Sequence, residues 1–90
     1  MAYSHGMNYE AVKRIGRDLK NQAAEIEKVI SQVDRLVRDA EANWSGKDAR
    51  DFAGWWRDQH RRGLVDLKGK LEGLGQSADN NAEEQRRISG

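Results

Sequence analysis

The tetrapeptide Asn43-Trp44-Ser45-Gly46 divides the chain into two halves that each carry their own apolar stripe. Upstream of it, Val12, Leu19, Ile26, Val33 and Ala40 recur every seven residues. Ile15, Val29 and Leu36 fall three residues after members of that series, with Gln22 as the polar exception. Ala23, Ile30 and Val37 form a third row beside them. Together these are the a, d and e rows of one helix face. They predict a helix from about residue 8 to about residue 42, which at ~1.5 Å per residue is about 50 Å long. The beat stops at the tetrapeptide, where Gly46 gives the backbone freedom to reverse. Ser45, followed three residues later by Asp48, resembles a capping box that satisfies free amides at a helix start. Downstream, Ala49, Phe52, Trp56, Gly63, Leu64, Leu67, Leu71, Leu74 and Ala78 step mostly by three and four. This stripe predicts a second helix over about 46–81, followed by a flexible tail at about 82–90 with only Ile88 to anchor it.

Two long helices joined by a turn at 43–46 make an all-α, antiparallel helix-turn-helix hairpin. With 90 residues, it forms one domain spanning the chain. A stripe three heptad rows wide exceeds what one neighbouring helix covers. The surplus predicts a second hairpin, and with it a four-helix bundle in the dimer. A lone hairpin is expected to expose Ile30, Val37, Leu64 and Leu71. Five glycines interrupt the second stripe (Gly54, Gly63, Gly69, Gly73 and Gly75) and Gly16 lies in the first. Each disfavours helix by about 1 kcal/mol relative to Ala, so packing has to hold that helix. Some of them allow close helix contact and others soften the helix, and the sequence does not separate the two.

Composition narrows the function. Sixteen basic residues face fifteen acidic ones, for a net charge of +1. That balance argues against a dedicated nucleic-acid or polybasic membrane protein. The local cluster Arg57, His60, Arg61 and Arg62 is offset by Asp51 and Asp58 and reads as a solvated helix face. There is no proline to break a helix and no cysteine for disulfides, thiolate metal sites or a thiol nucleophile. His5 and His60 are too far apart in sequence to suggest metal or triad chemistry. Carboxylate pairs such as Glu25/Glu27 and Glu83/Glu84 lack a pocket to shift their pKa values. No catalytic residue, cofactor or metal site is therefore expected. No apolar run approaches the ~20 residues of a membrane span, and the first residues lack a signal peptide's apolar stretch.

Trp44-Ser45-Gly46 sits at mid-chain in a predicted inter-helix turn, with Ala49, Phe52 and Trp56 three, six and ten residues after Gly46. In this the chain resembles the WXG (Trp-x-Gly) family of Esx-like proteins, substrates of type VII secretion. The resemblance covers the chain from the first helix to about Ala82. It implies a non-enzymatic hairpin, made in the cytoplasm and exported as a folded dimer without a cleaved signal peptide. Its implied partners are a homodimer mate or another WXG-family protein, and the secretion ATPase. The turn, with Trp44 and Gly46 as its motif positions and Ser45 as the variable one, contributes to a recognition surface together with the partner's tail. The family's second signal is a Tyr, three spacers and an Asp or Glu after the second helix. No Tyr follows Tyr9 here, although Asn80 and Glu84 have the spacing. A partner carries that signal, or the tail uses a variant from Asn80 to Arg87, or the chain is not a substrate in its own right. The rival role is a targeting or chaperone hairpin for a larger type VII toxin. Of the adjacent pair Trp55 and Trp56, Trp56 fits the inner stripe, and Trp55 is the better partner contact.

Overall fold

The computed structural model describes residues 8–89, so His5 lies outside the described residues. Helix α1 spans Tyr9–Asn43, and the Asn8 carboxamide caps it by accepting the Ala11 amide at 3.0 Å. After the turn, a second rod runs through α2 (Lys47–Trp55), a π-helical turn (Trp56–His60) and α3 (Arg61–Ser89). The two rods pack antiparallel as the hairpin that the stripes predict, giving a body of 65 × 18 × 16 Å.

The seam between the rods is not centred on the rows expected. Gly16, Ala23, Ile30 and Val37 are its buried positions on α1, again seven apart. Opposite them lie Ala49, Ala53, Trp56, Gly75 and Ala82. Ile30 and Val37, expected on the open surface, are each only 1% exposed. Leu64 and Leu71 are half-buried beside them rather than open. Phe52, Leu67 and Leu74, taken as inner-stripe residues, lie on the exposed side. The reason is size. Near the open end the backbones approach closely through Gly16 and Gly75, where a Cβ on Gly75 would stand 2.8 Å from the Gly16 carbonyl oxygen. Small residues thus choose the seam, and the larger Ile30, Val37 and Trp56 fill it toward the turn.

Charged residues line one flank of this seam. Lys13, Lys20, Glu27, Asp34 and Glu41 are spaced by seven, four residues beyond the seam row, so they form a single ridge. Each meets an opposite charge on the second rod. Lys13 pairs with Glu83 at 3.1 Å and Lys20 with Asp79 at 2.6 Å. Glu27 pairs with Lys68 at 3.4 Å, Asp34 with Arg61 at 3.0 Å, and Glu41 with Arg57 at 2.6 Å. The ridge changes sign midway and its partners change sign with it, so a one-heptad slip sets one like-charged pair together, Lys20 against Lys68 or Glu27 against Asp79. The Lys20–Asp79 and Asp34–Arg61 pairs are partly buried; the others lie more in solvent, where such pairs add little stability singly.

Two local features were not expected. The π turn brings the Arg61 amide onto the Trp56 carbonyl, five residues back. Trp56 and Arg61 then share one side of the rod, and both reach Asp34, with the indole Nε1–H donating at 2.8 Å. The second rod also continues to Ser89, where a flexible tail was expected from residue 82. Ala82 is fully buried. The Tyr9 hydroxyl donates to Glu83 at 2.6 Å, and the Arg86 guanidinium lies over the Tyr9 ring at 4.8 Å. These contacts anchor turns that have little apolar content of their own.

The Arg61 guanidinium and then the Trp56 indole hold the Asp34 carboxyl below its ordinary 3.8. Lys20 does the same for Asp79, and Arg57 holds Glu41 below its ordinary 4.5. Tyr9 and then Lys13 lower Glu83. Carboxyls depressed on folding contribute stability that is complete above their unfolded values and is lost as the pH falls through the folded ones. The thermal midpoint should therefore be flat above about pH 5 and fall steadily below pH 4. Asp34→Asn should shallow that fall, as read by circular dichroism. The glycines give a second expectation. A Cβ on Gly16 would sit 2.6 Å from Asp79 Oδ1 and 2.9 Å from the Gly75 carbonyl, whereas Gly69 and Gly73 face open space. Gly16→Ala should destabilise by about 1–3 kcal/mol despite its better helix propensity, while Gly69→Ala and Gly73→Ala should stabilise by roughly 0.5–1 kcal/mol in urea unfolding.

Candidate functional site

The turn is built by two residues. Trp44 ends α1 in an extended conformation, and Gly46 takes φ +104°. That angle is strained for any side chain, so the reversal depends on glycine at this position. Ser45 does not cap the next helix. Gly46 is the N-cap, with no side-chain hydrogen bond, so the expected capping box is not formed. Trp44 stays 46% exposed and leans on Phe52, their ring centroids 5.6 Å apart at 50°. Beside them a depression of about 250 Å³ is lined by Glu41, Trp44, Ser45, Gly46, Ala49 and Arg50. The turn end therefore presents an indole face beside exposed charges of both signs, Lys47, Asp48 and Arg50, while Glu41 is held by Arg57.

Opposite the ion-paired flank, the hairpin is apolar. Val12, Leu19, Ile26 and Val33 lie three residues beyond the seam row and are half-buried. Beyond them Ile15, Val29 and Leu36 are exposed, Leu36 by 63%. On the second rod Leu64 and Leu71 are half-buried, and Leu67 and Leu74 are exposed. Successive helical residues turn by about 100°, which puts all of these side chains on one side of the hairpin. At the turn end of this face, Val33, Val37, Phe52, Trp55, Trp56 and His60 line an open cavity of about 360 Å³. Trp55, 57% exposed, forms its outer wall. The cavity lies against the π turn, at whose ends Trp56 is buried and His60 is exposed.

The other sequence candidates are dispersed. Asn80 and Glu84 lie exposed on α3, far along the chain from the turn. Asn80 accepts from Gln76 Nε2 at 3.0 Å, and Glu84 pairs with Arg87. Sequence reasoning passed over Asp34 and Ala53, placed Arg61 only on a solvated face, and left open whether Gly75 admits close contact; Ala82 entered only as the end of the resemblance. The ion ridge did carry a signal, five charges at strict heptad spacing with one change of sign, while the buried small residues carried almost none. Among the described residues no cluster of His, Asp or Glu is arranged to hold a metal ion. No helix among them is long and apolar enough to cross a membrane.

A family model, WXG100 (proteins of 100 residues with WXG), matches residues 6–87. No curated protein and no solved structure matches the chain. The two tryptophans of the hairpin end separate in their consequences for folding. Trp44→Ala should lower stability by about 1 kcal/mol or less, since the ring is half in water. Trp56→Ala should lower it by roughly 3–5 kcal/mol, because it opens the seam and removes a donor to Asp34. Chemical denaturation followed by circular dichroism reads both.

Proposed function

Since the chain belongs to the WXG100 family, we propose that it is a small non-enzymatic protein exported by a type VII secretion system as a folded dimer. The carrying observation is the one-sided hairpin, with ion pairs closing one flank and a length of exposed Ile, Val and Leu left along the other. A second hairpin of the same kind covers that face in a four-helix bundle, burying apolar area at about 25 cal/mol per Å². The mate is a WXG-family protein, either identical or different.

In this reading the Trp44-Ser45-Gly46 turn contributes to recognition by the secretion ATPase. Its half-exposed indole suits that task, because aromatic side chains pair a large apolar body with one polar donor. The tail signal is incomplete in this chain, since Asn80 stands where a Tyr is required. The mate supplies the complete signal, and Glu84 and the α3 terminus lie beside the mate's turn. The same lack of a tail Tyr favours a second reading, in which this hairpin escorts a larger type VII toxin by covering a helical domain of it. Co-expression with neighbouring gene products distinguishes the two, since the second reading requires a stable complex with a longer chain.

Association through this face is directly measurable. The purified chain, alone or with its mate, should sediment as a dimer that Leu36→Lys with Leu74→Lys dissociates without loss of helicity. A compact species that ignores the double substitution contradicts the bundle. In a secretion assay Trp44→Ala should reduce export while leaving the dimer intact. Undiminished export would remove the turn from recognition.

A further inference from the structure

The rim of the apolar face carries information about the mate. In a bundle of this kind the residues flanking the intermolecular seam, just outside its exposed apolar row, set partner choice through charge. On α1 that exposed row is Ile15, Gln22, Val29 and Leu36, and the next row outward is Ala11, Asp18, Glu25, Gln32 and Asp39. Every charge in the outer row is negative. Glu25 shares its charge with Lys28 at 3.0 Å. Arg14 and Arg35 lie in the row behind, further from the face. On α3 the equivalent outer row is Gly63, Lys70, Ser77 and Glu84, with one charge of each sign.

We propose that the mate is not a second copy of this chain but a helical hairpin whose own edge presents Lys or Arg at heptad spacing against Asp18, Glu25 and Asp39. This rests on the bundle reading above and specifies the partner within it. Two copies stack face to face about a twofold axis in two ways. With the axis across the helices, α1 lies antiparallel on its own copy, and the acidic rows oppose each other. With the axis along the helices, α1 lies on the other copy's α3 and meets a row of zero net charge. Neither arrangement gives the three carboxylates a basic row. A mate with a basic edge satisfies all three and leaves the apolar contact unchanged. Like charges across such a seam repel as opposite charges attract, so the rim discriminates without adding apolar area.

Sedimentation equilibrium tests this with the full chain and two variants. Asp18→Asn with Glu25→Gln and Asp39→Asn neutralises the edge, and Asp18→Lys with Glu25→Lys and Asp39→Lys reverses it. Circular dichroism checks the helicity of both. The wild-type chain should self-associate weakly in about 20 mM salt and more tightly in about 500 mM, because salt screens repulsion. The neutral variant should self-associate about tenfold more tightly than wild type at low salt. An equimolar mixture of wild type with the lysine variant should form a mixed dimer tighter than either alone, loosening as salt rises. A wild-type homodimer as tight as the neutral variant and indifferent to salt overturns the basic-edged mate while leaving the bundle standing. If neither the chain, the neutral variant nor the mixture associates at about millimolar protein, the apolar face is not an association surface and the bundle reading falls with it.

Discussion

The close approach of Gly16 and Gly75 fixes which faces of the two rods meet. Without side chains at this level, backbone lies against backbone, and the first turns of α1 are drawn onto the second half of α3. From there the seam fills with larger groups, from Ala23 through Ile30 to Val37 and Trp56. Once that row faces inward, the rows three and four residues beyond it must fall on opposite flanks of the hairpin. One of those rows is Val12, Leu19, Ile26 and Val33, and the other is Lys13, Lys20, Glu27, Asp34 and Glu41. A hairpin with one polar and one apolar side follows from a choice made by residues with no apolar side chain of their own.

The heptad beat and its interruption at Trp44-Ser45-Gly46 were enough to read two helices, their boundaries near the turn and the reversal between them. They were not enough to choose the seam. Apolar count ranks Leu19, Ile26 and Val33 above Gly16 and Ala23, so reasoning by hydrophobicity turns the helix some 50° from its actual facing. Hydrophobic patterning reports total apolar demand, and here much of that demand points away from the hairpin's own interior. Contact distance, set by the absence of side chains, reports the seam, and glycine gives no hint in sequence of which neighbour it admits. The same blindness covers the π turn, since Trp56 to Arg61 looks like ordinary helix until Asp34 is seen to take both donors. The end of α3 was misjudged for a related reason. Its own residues are polar, and its order comes from Tyr9, over seventy positions away.

The turn site was more legible, because its chemistry is local. A glycine at φ +104° has few replacements, and a tryptophan before it has few places to go. The sequence named both. It could not say that Trp44 remains half in water while Trp56, twelve residues later, is buried. That division leaves one indole to hold the fold and frees the other for contact. The cavity walled by Phe52, Trp55 and His60 extends the apolar face almost to the turn. The proposed docking along the face and at the end would therefore share one continuous surface.

The two flanks divide stability from specificity in an uncommon direction. Within the hairpin the ion pairs contribute modest free energy, and their change of sign disfavours a heptad slip by opposing one like-charged pair. Between hairpins the same logic moves outward. The apolar rows supply attraction without direction, since any amphipathic helix of similar width could lie there. Direction has to come from the charged rim, where Asp18, Glu25 and Asp39 repeat at the period of the helix they flank. On the proposed assembly the chain uses one device twice, a heptad row of charge beside a heptad row of packing, first to align its own two rods and then to choose what covers them.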